Sequence, residues 1–224
     1  MSGGLLRGLG QLVGRGGKRV SRYGIVEFLD AQLERLEPGA RVLSIGAGGE
    51  IGDHLTAACE RLGIDVVQLD IDAERGADVV ADICEWRSEA PFDAILCSEV
   101  LEHLYAPHQA VSNMWASLRD GGRLILTAPF VFPIHSAPHD YFRYTRHGLE
   151  VLLRDFHDVT IEERTSWAES FGVLAVRMVR GRERRALAVA VVPVILAGYP
   201  LLRMMGRLIP ASEMTTGYNV VAVR

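Results

Sequence analysis

Two stretches of this 224-residue chain place residue types in an order that could do chemistry. The first is Gly46-Ala47-Gly48-Gly49-Glu50-Ile51-Gly52, followed by Asp70 and then by Ala81-Asp82-Ile83. Glycines let a backbone turn sharply and approach a ligand that a Cβ would keep away. A helix starting near Gly52 would offer free N–H groups to a polar moiety. A carboxylate about 20 residues further on can accept both ribose hydroxyls of an adenosine, which suits Asp70, although a turn residue would also fit that position. Ile71 would lie against the purine face, and Asp82 would accept from an exocyclic amine. The second stretch runs from Ala128 to Thr145 and is the densest polar and aromatic cluster in the chain. His135 and His139 are candidates to act as base toward a hydroxyl, since imidazole titrates near neutral pH, and Asp140 or Glu102 could orient one of them. Arg143 could clamp a phosphate or carboxylate bidentately, and Tyr141 or Tyr144 could stack on a sugar. The competing reading packs this loop onto the fold, with Arg143 paired to Glu99 or Asp140.

The elements that would position these residues follow from the apolar pattern. Arg41-Val42-Leu43-Ser44-Ile45, Asp65-Val66-Val67-Gln68-Leu69, Phe92 to Cys97, Gly122 to Thr127, Val159 to Glu163 and Tyr218 to Val223 read as strands. Helices are expected over Gly24 to Leu36, Gly52 to Leu62, Pro107 to Leu118 and Arg146 to Leu153, with Pro38-Gly39 and Gly63 as stops. Alternation of this kind predicts an α/β fold with a parallel sheet and helices on both faces. Ligands then bind beyond the carboxyl ends of the strands, where both chemical stretches fall. Ile51 occupies the place of the third glycine of a dinucleotide fingerprint, and the Gly-Lys-Ser/Thr of a P-loop is absent.

Taken together, Val42-Leu43-Ser44-Ile45-Gly46-Ala47-Gly48, Leu69-Asp70-Ile71-Asp72, Ala81-Asp82-Ile83, Phe92 to Leu104 and Leu118-Arg119-Asp120-Gly121-Gly122 resemble a class I S-adenosylmethionine-dependent methyltransferase. The loop Pro129-Phe130…His135…Pro138-His139-Asp140-Tyr141-Phe142-Arg143-Tyr144-Thr145 resembles that of a subgroup found among bacterial glycan- and envelope-building enzymes. The resemblance implies a Rossmann-like seven-stranded sheet, mostly parallel, with an antiparallel last strand. It implies S-adenosylmethionine as cofactor: Gly46 and Gly48 under the methionine part, Asp70 at the ribose with Ile71 against the adenine, and Asp82 and Ile83 beside the ring. Ser98 and Glu99 would line the methyl side. The chain departs from the family at Ser44, where an acid is common, and at Glu50, in place of a glycine. The activity implied is O-methylation of a glycan or lipid-linked precursor at the cytoplasmic membrane face. A quinone or small-molecule acceptor and a non-catalytic scaffold are the alternatives.

The ends of the chain differ from its middle. Residues 1–23 form a basic, glycine-rich leader, and the domain proper spans 24–224 with a hydrophobic insert at about 171–210. Within the insert, 186–202 carries no charge and is flanked by arginines. Pro193, Gly198 and Pro200 are expected to break it into an interfacial or re-entrant helical segment shorter than a bilayer core, in peripheral membrane contact together with the leader. A buried helix pair or a homodimer surface is the other reading. Three unpaired cysteines argue for a reducing, cytoplasmic setting. Neither the histidine nor the cysteine spacing matches a metal motif, so no metal is expected, and His103 reads as a structural turn residue. A net charge of −4, with the arginines gathered at the apolar segments, argues against nucleic acid as a partner.

Overall fold

Apolar runs cut every few residues by Gly, Pro or Asp become strands when both their faces find helices to pack on. In a computed structural model describing residues 24–179, 184–211 and 213–224, seven runs become strands, the central ones buried on both faces. They are β1 (Arg41–Ile45), β2 (Asp65–Asp70), β3 (Val79–Val80), β4 (Phe92–Ser98), β5 (Leu118–Pro129), β6 (His157–Glu163) and β7 (Gly217–Val223). The helices are α1 (24–33), α2 (Gly49–Leu62), α3 (Pro107–Ser117), α4 (Arg146–Leu152), α5 (Trp167–Met178) and α6 (Arg185–Leu208). The expected leader, 1–23, lies outside the described residues.

The strand order is β3-β2-β1-β4-β5-β7-β6. β1 pairs in parallel with β2 and β4, β2 with β3, and β4 with β5, whereas β7 runs antiparallel to β5 with Asn219 opposite Thr127. The seven-stranded, mostly parallel sheet with an antiparallel last strand is the architecture expected. Alternate side chains feed two apolar layers. Val42, Ala94, Leu96 and Ile125 pack with Ile25, Leu29 and Leu33 of α1 and Leu55 and Cys59 of α2. Leu43, Ile95, Cys97, Leu124 and Leu126 pack with Ala110 and Met114 of α3 and Leu149 of α4. α2 begins at Gly49, three residues before the expected Gly52, and ends where Gly63 turns left-handed (φ 68°) and its N–H reaches the carbonyls of Cys59 and Glu60.

By its contacts the chain divides into two units: residues 25–130, 134–162 and 217–224 form one, and 131–133 with the described part of 163–216 belong to the other. The second unit is a helical pair. Ser166 and Glu169 cap α5 reciprocally, and Glu169 also holds Tyr199 Oη at 3.2 Å and Arg203 Nε at 3.3 Å on α6. The expected break does not occur: α6 runs 24 residues through both Pro193 and Pro200. At about 1.5 Å per residue it is about 36 Å long, enough for the roughly 30 Å core of a bilayer. Only Val192 among its apolar side chains is almost fully buried, and Leu187, Val194, Leu201 and Leu208, each seven apart, are more than half exposed. Among the described residues α6 is the one helix long and apolar enough to span a membrane, by length and composition alone.

Candidate active site

The glycine turn after β1 is built by backbone geometry. Gly46, Gly48 and Gly49 have φ of 91°, 72° and 71°, a region that L side chains avoid. A Cβ on Gly46 would meet Val100 Cγ2 at 2.8 Å, while beyond Gly48 and Gly49 there is open space on the side a Cβ would take. Asp70, at the end of β2, is nearly buried and ties this turn down: Oδ2 accepts the Ala47 N–H at 2.8 Å and Oδ1 the Asp72 N–H at 2.9 Å. Arg75, which the sequence did not single out, donates to the Ala47 carbonyl at 3.2 Å and lies 3.9 Å from Asp70 Oδ2. Ile71 is 69% exposed. Asp82 caps its own turn, accepting the Cys84 N–H at 2.8 Å through Oδ1. Ile83 departs from expectation. Its side chain is core, 2% exposed, and its carbonyl takes a hydrogen bond from buried Asn113, so it has no face to offer a ring.

At the end of β4, Thr127 of the neighbouring strand acts as a clip. Its hydroxyl lies 2.9 Å from Ser98 Oγ, accepts the Glu99 N–H at 3.1 Å and donates to Glu99 Oε1 at 3.1 Å. Glu99 is held in a left-handed backbone conformation (φ 54°), a strain that persists only where surrounding contacts impose it. The chain then enters the short helical turn Leu101–His103, which drives the Glu102 side chain inward to complete burial.

The loop after β5 is strapped onto that turn, since the N–H groups of Tyr141 and Phe142 both donate to the Glu102 carbonyl, at 2.9 and 3.2 Å. The straps bring His135 over Glu102, with Nε2 3.5 Å from Oε1, while Nδ1 lies 3.3 Å from Asp140 Oδ2. Asp140 also accepts the His135 N–H at 2.8 Å, and Arg143 grips its carboxylate bidentately at 2.5 and 2.8 Å. The guanidinium therefore holds the Asp140 carboxyl well below the usual carboxylate range. Burial pushes the Glu102 carboxyl up, and the nearby Glu102 carboxylate raises His135. His139 is exposed, its Nδ1 2.8 Å from Tyr141 Oη, and its carbonyl lies 2.5 Å from His103 Nδ1.

Two expected substrate contacts are corrected by these positions. Arg143 is committed to Asp140 and so supplies no open clamp. Tyr144 is 8% exposed and its hydroxyl donates to the Leu101 carbonyl, so it packs the loop down and does not stack on a ligand. Tyr141 remains 46% exposed. The third difference concerns metals. Glu102, His103 and His135 lie with their ligand atoms within 4.8 Å of one another, although no spacing in the chain announces the group. The only local signal was the adjacent Glu102-His103 pair after a strand.

An open sheet carrying a glycine turn with room beside it, then acceptors Asp70 and Asp82 at successive strand ends, defines a nucleotide-type site of the class I methyltransferase kind. The match to known proteins agrees. Residues 18–169 match the model of the methyltransferase domain, and the chain belongs to that family. Over 119 residues it is 33% identical to the ubiquinone biosynthesis O-methyltransferase of Xanthomonas axonopodis pv. citri, covering 46% of this chain and 47% of that protein. The chain thus aligns with about half the length of such relatives. The fold is shared with Haemonchus contortus phosphoethanolamine N-methyltransferase 2 in complex with S-adenosyl-L-methionine (TM-score 0.56, 15% identity, 86% of this chain and 50% of that one). It is also shared with Burkholderia thailandensis 1,6-didemethyltoxoflavin-N1-methyltransferase (TM-score 0.54, 19% identity, 92% and 78%). S-adenosylmethionine is the cofactor of this family, and the residues present fit it: the open glycine turn leaves room for it, Asp70 would hold the ribose, Asp82 would face the adenine amine, and exposed Ile71 would lie on the ring.

Proposed function

We propose that the chain methylates a hydroxyl oxygen on a lipid-borne acceptor, with a phenolic quinone precursor as the favoured class. The observation that carries this reading is His135 set between two carboxylates, Glu102 and Asp140, over the turn that follows the Ser98 strand end. The bound cofactor supplies a methyl group already activated on a sulfonium, so the chain has to orient a nucleophile and manage its proton. Asp140, which accepts the His135 backbone N–H and the Arg143 guanidinium, lies 3.3 Å from the imidazole at Nδ1 and would orient the ring. His135 Nε2 takes the hydroxyl proton, and Glu102 carries the compensating charge. The names of the relatives favour a phenol over other hydroxyls. The exposed apolar stripe of α6, with Arg207 in its last turn, would keep the chain at an anionic bilayer, a basic side chain adding about 1 kcal/mol near the surface. A glycan on a lipid carrier is the second reading, favoured by the exposed rings of Tyr141 and Phe142.

The test is release of S-adenosylhomocysteine by the full chain in anionic vesicles. The vesicles carry a prenylated ortho-diphenol, the same diphenol without its tail, or a lipid-linked glycan. Turnover confined to the prenylated phenol, lowered about 100-fold or more by His135→Ala, is the expected result. Turnover on the glycan alone transfers the assignment to the second reading. Cofactor binding without turnover on any acceptor sinks both. Val194→Glu with Leu201→Glu should abolish vesicle co-sedimentation at unchanged Tm, and equal sedimentation would remove the membrane contact.

A further inference from the structure

We infer that Glu102, His103 and His135 form a divalent transition-metal site of the zinc type. Glu102 is fully buried, and neither of its carboxylate oxygens has a hydrogen-bond partner among the described residues. A buried carboxylate left in that state is costly unless a cation or a bound proton compensates it. The groups facing it are two imidazoles, with His103 Nε2 at 3.6 Å and His135 Nε2 at 3.5 Å from Oε1. Both separations exceed the 2.7–3.2 Å or so of an N–H···O bond. They are close to the edge of a metal tetrahedron, about 3.3–3.4 Å for ligand bonds of about 2.0–2.1 Å, and all three ligand atoms lie within 4.8 Å of one another, so an ion would draw the group together.

The far sides of the rings point the same way. His103 Nδ1 lies 2.5 Å from the His139 carbonyl oxygen, which can only accept, so Nδ1 carries the hydrogen and a neutral ring turns the Nε2 lone pair toward Glu102. His135 Nδ1 faces the Asp140 carboxylate, again an acceptor. A ligating histidine characteristically donates its other N–H to a carbonyl or a carboxylate; His103 has such a carbonyl in hydrogen-bond reach, and His135 has a carboxylate oxygen 3.3 Å from Nδ1. Two imidazole nitrogens and one carboxylate are borderline donors that suit zinc, cobalt or iron over magnesium or calcium, and three protein ligands leave a fourth position open.

On the methyl-transfer reading above, and resting on it, that fourth position receives the acceptor oxygen. With an ion bound, the acceptor hydroxyl would be acidified and its proton would pass to solvent, His135 then serving as a ligand; without the ion His135 keeps the role of base. The existence of the site does not depend on that step.

The experiment uses the full chain, stripped with a chelator and shown by circular dichroism to be folded. It is titrated calorimetrically with ZnCl2, and separately with CoCl2 while the visible spectrum is followed. The expected result is one ion per chain and the intense cobalt bands of tetrahedral coordination. Affinity should fall by more than 100-fold in His135→Ala and His103→Ala, by about 10–100-fold in Asp140→Asn, and not at all in His147→Ala, a surface control. Stoichiometric binding that survives His135→Ala and His103→Ala, or no saturable binding by the folded chain, overturns the site. S-adenosylmethionine binding is titrated on the same samples. Cofactor binding without metal binding refutes the metal alone, and metal binding without cofactor binding refutes the methyltransferase reading alone.

Discussion

Replacing Asp70 with asparagine tests the cofactor site at its most loaded residue. The side chain is 9% exposed, and its two oxygens accept the backbone N–H groups of Ala47 and Asp72 at 2.8 and 2.9 Å. Asparagine keeps the shape but has one acceptor oxygen, so whichever way the amide is turned, one backbone N–H meets an NH2 donor. One hydrogen bond to a charged group is lost, about 1.5–3 kcal/mol. At about 2–4 °C per kcal/mol for a chain of this size, the Tm should fall by about 3–12 °C. The same amide can accept from only one ribose hydroxyl, and without charge, so affinity for S-adenosylmethionine should fall about 10–100-fold, equivalent to about 1.4–2.8 kcal/mol. Calorimetric titration with the cofactor and with S-adenosylhomocysteine, beside a scanning melt, reads both effects. If the variant melts lower but binds both ligands as the parent does, Asp70 only ties the glycine turn to β2, and the ribose assignment is refuted.

Gly46→Ala should cost about 1–3 kcal/mol from its φ of 91°, with a further loss from the 2.8 Å approach to Val100 Cγ2. Urea titration of Gly46→Ala with Val100→Ala should recover only the second part. Gly206→Ala would put a Cβ 2.2 Å from Ser166 Oγ and evict the α5 cap, so it should destabilise the helical pair by about 1–2 kcal/mol, read as faster proteolysis near Trp167. Asp93 accepts the Arg41 N–H at 2.7 Å and lies 2.6 Å from Arg119 Nε, contacts that hold its carboxyl below the usual value. Its contribution is therefore present above the ordinary carboxylate pKa and lost as pH falls through the folded value. Asp93→Asn should cost about 1 kcal/mol at pH 7, with the gap from the parent closing below about pH 4 in pH-dependent urea melts. Cys59, Cys84 and Cys97 are all buried, and burial pushes Cys59 up to about 11. An aromatic disulfide reagent at pH 8 should accordingly titrate no thiol in the native chain and all three in denaturant.

The strands and the glycine turn were legible because their signals are local. A parallel sheet buries both faces of Val42 to Ile45 and of Phe92 to Cys97, and the resulting apolar runs end where Gly46, Asp70 and Ser98 must turn away. The helix through Pro193 and Pro200 was not legible. Local propensity charges each interior proline about 3 kcal/mol, and here tertiary contacts outweigh it: Glu169 grips Tyr199 and Arg203, and Gly172 makes room for Leu202. The loop after β5 was half legible. Its residue types announced chemistry, but nothing in Tyr141-Phe142-Arg143-Tyr144 says that the fourth side chain turns inward to Leu101 while the third locks onto Asp140. Glu102 and His135, 33 residues apart, meet only because two N–H groups of that loop land on one carbonyl.

That meeting bears on why a carboxylate occupies position 102. A structural turn residue there would gain from being neutral, since glutamine could donate to a nearby carbonyl and would avoid burying a charge. Leu101 and Tyr144 already anchor the turn without help from the Glu102 side chain. The strained backbone of Glu99 and the Thr127 clip before it add to the cost of placing this segment where it is. An arrangement that combines a left-handed glutamate, a buried carboxylate without hydrogen-bond partners among the described residues and two imidazoles turned toward it is unfavourable for folding alone. It becomes favourable once a ligand, a proton or an ion engages those oxygens, so the Glu102 turn is where function and stability oppose each other in this chain. Glu102→Gln should therefore raise the Tm of the ligand-free protein while lowering turnover, and a variant that lost both would place Glu102 among the structural residues instead.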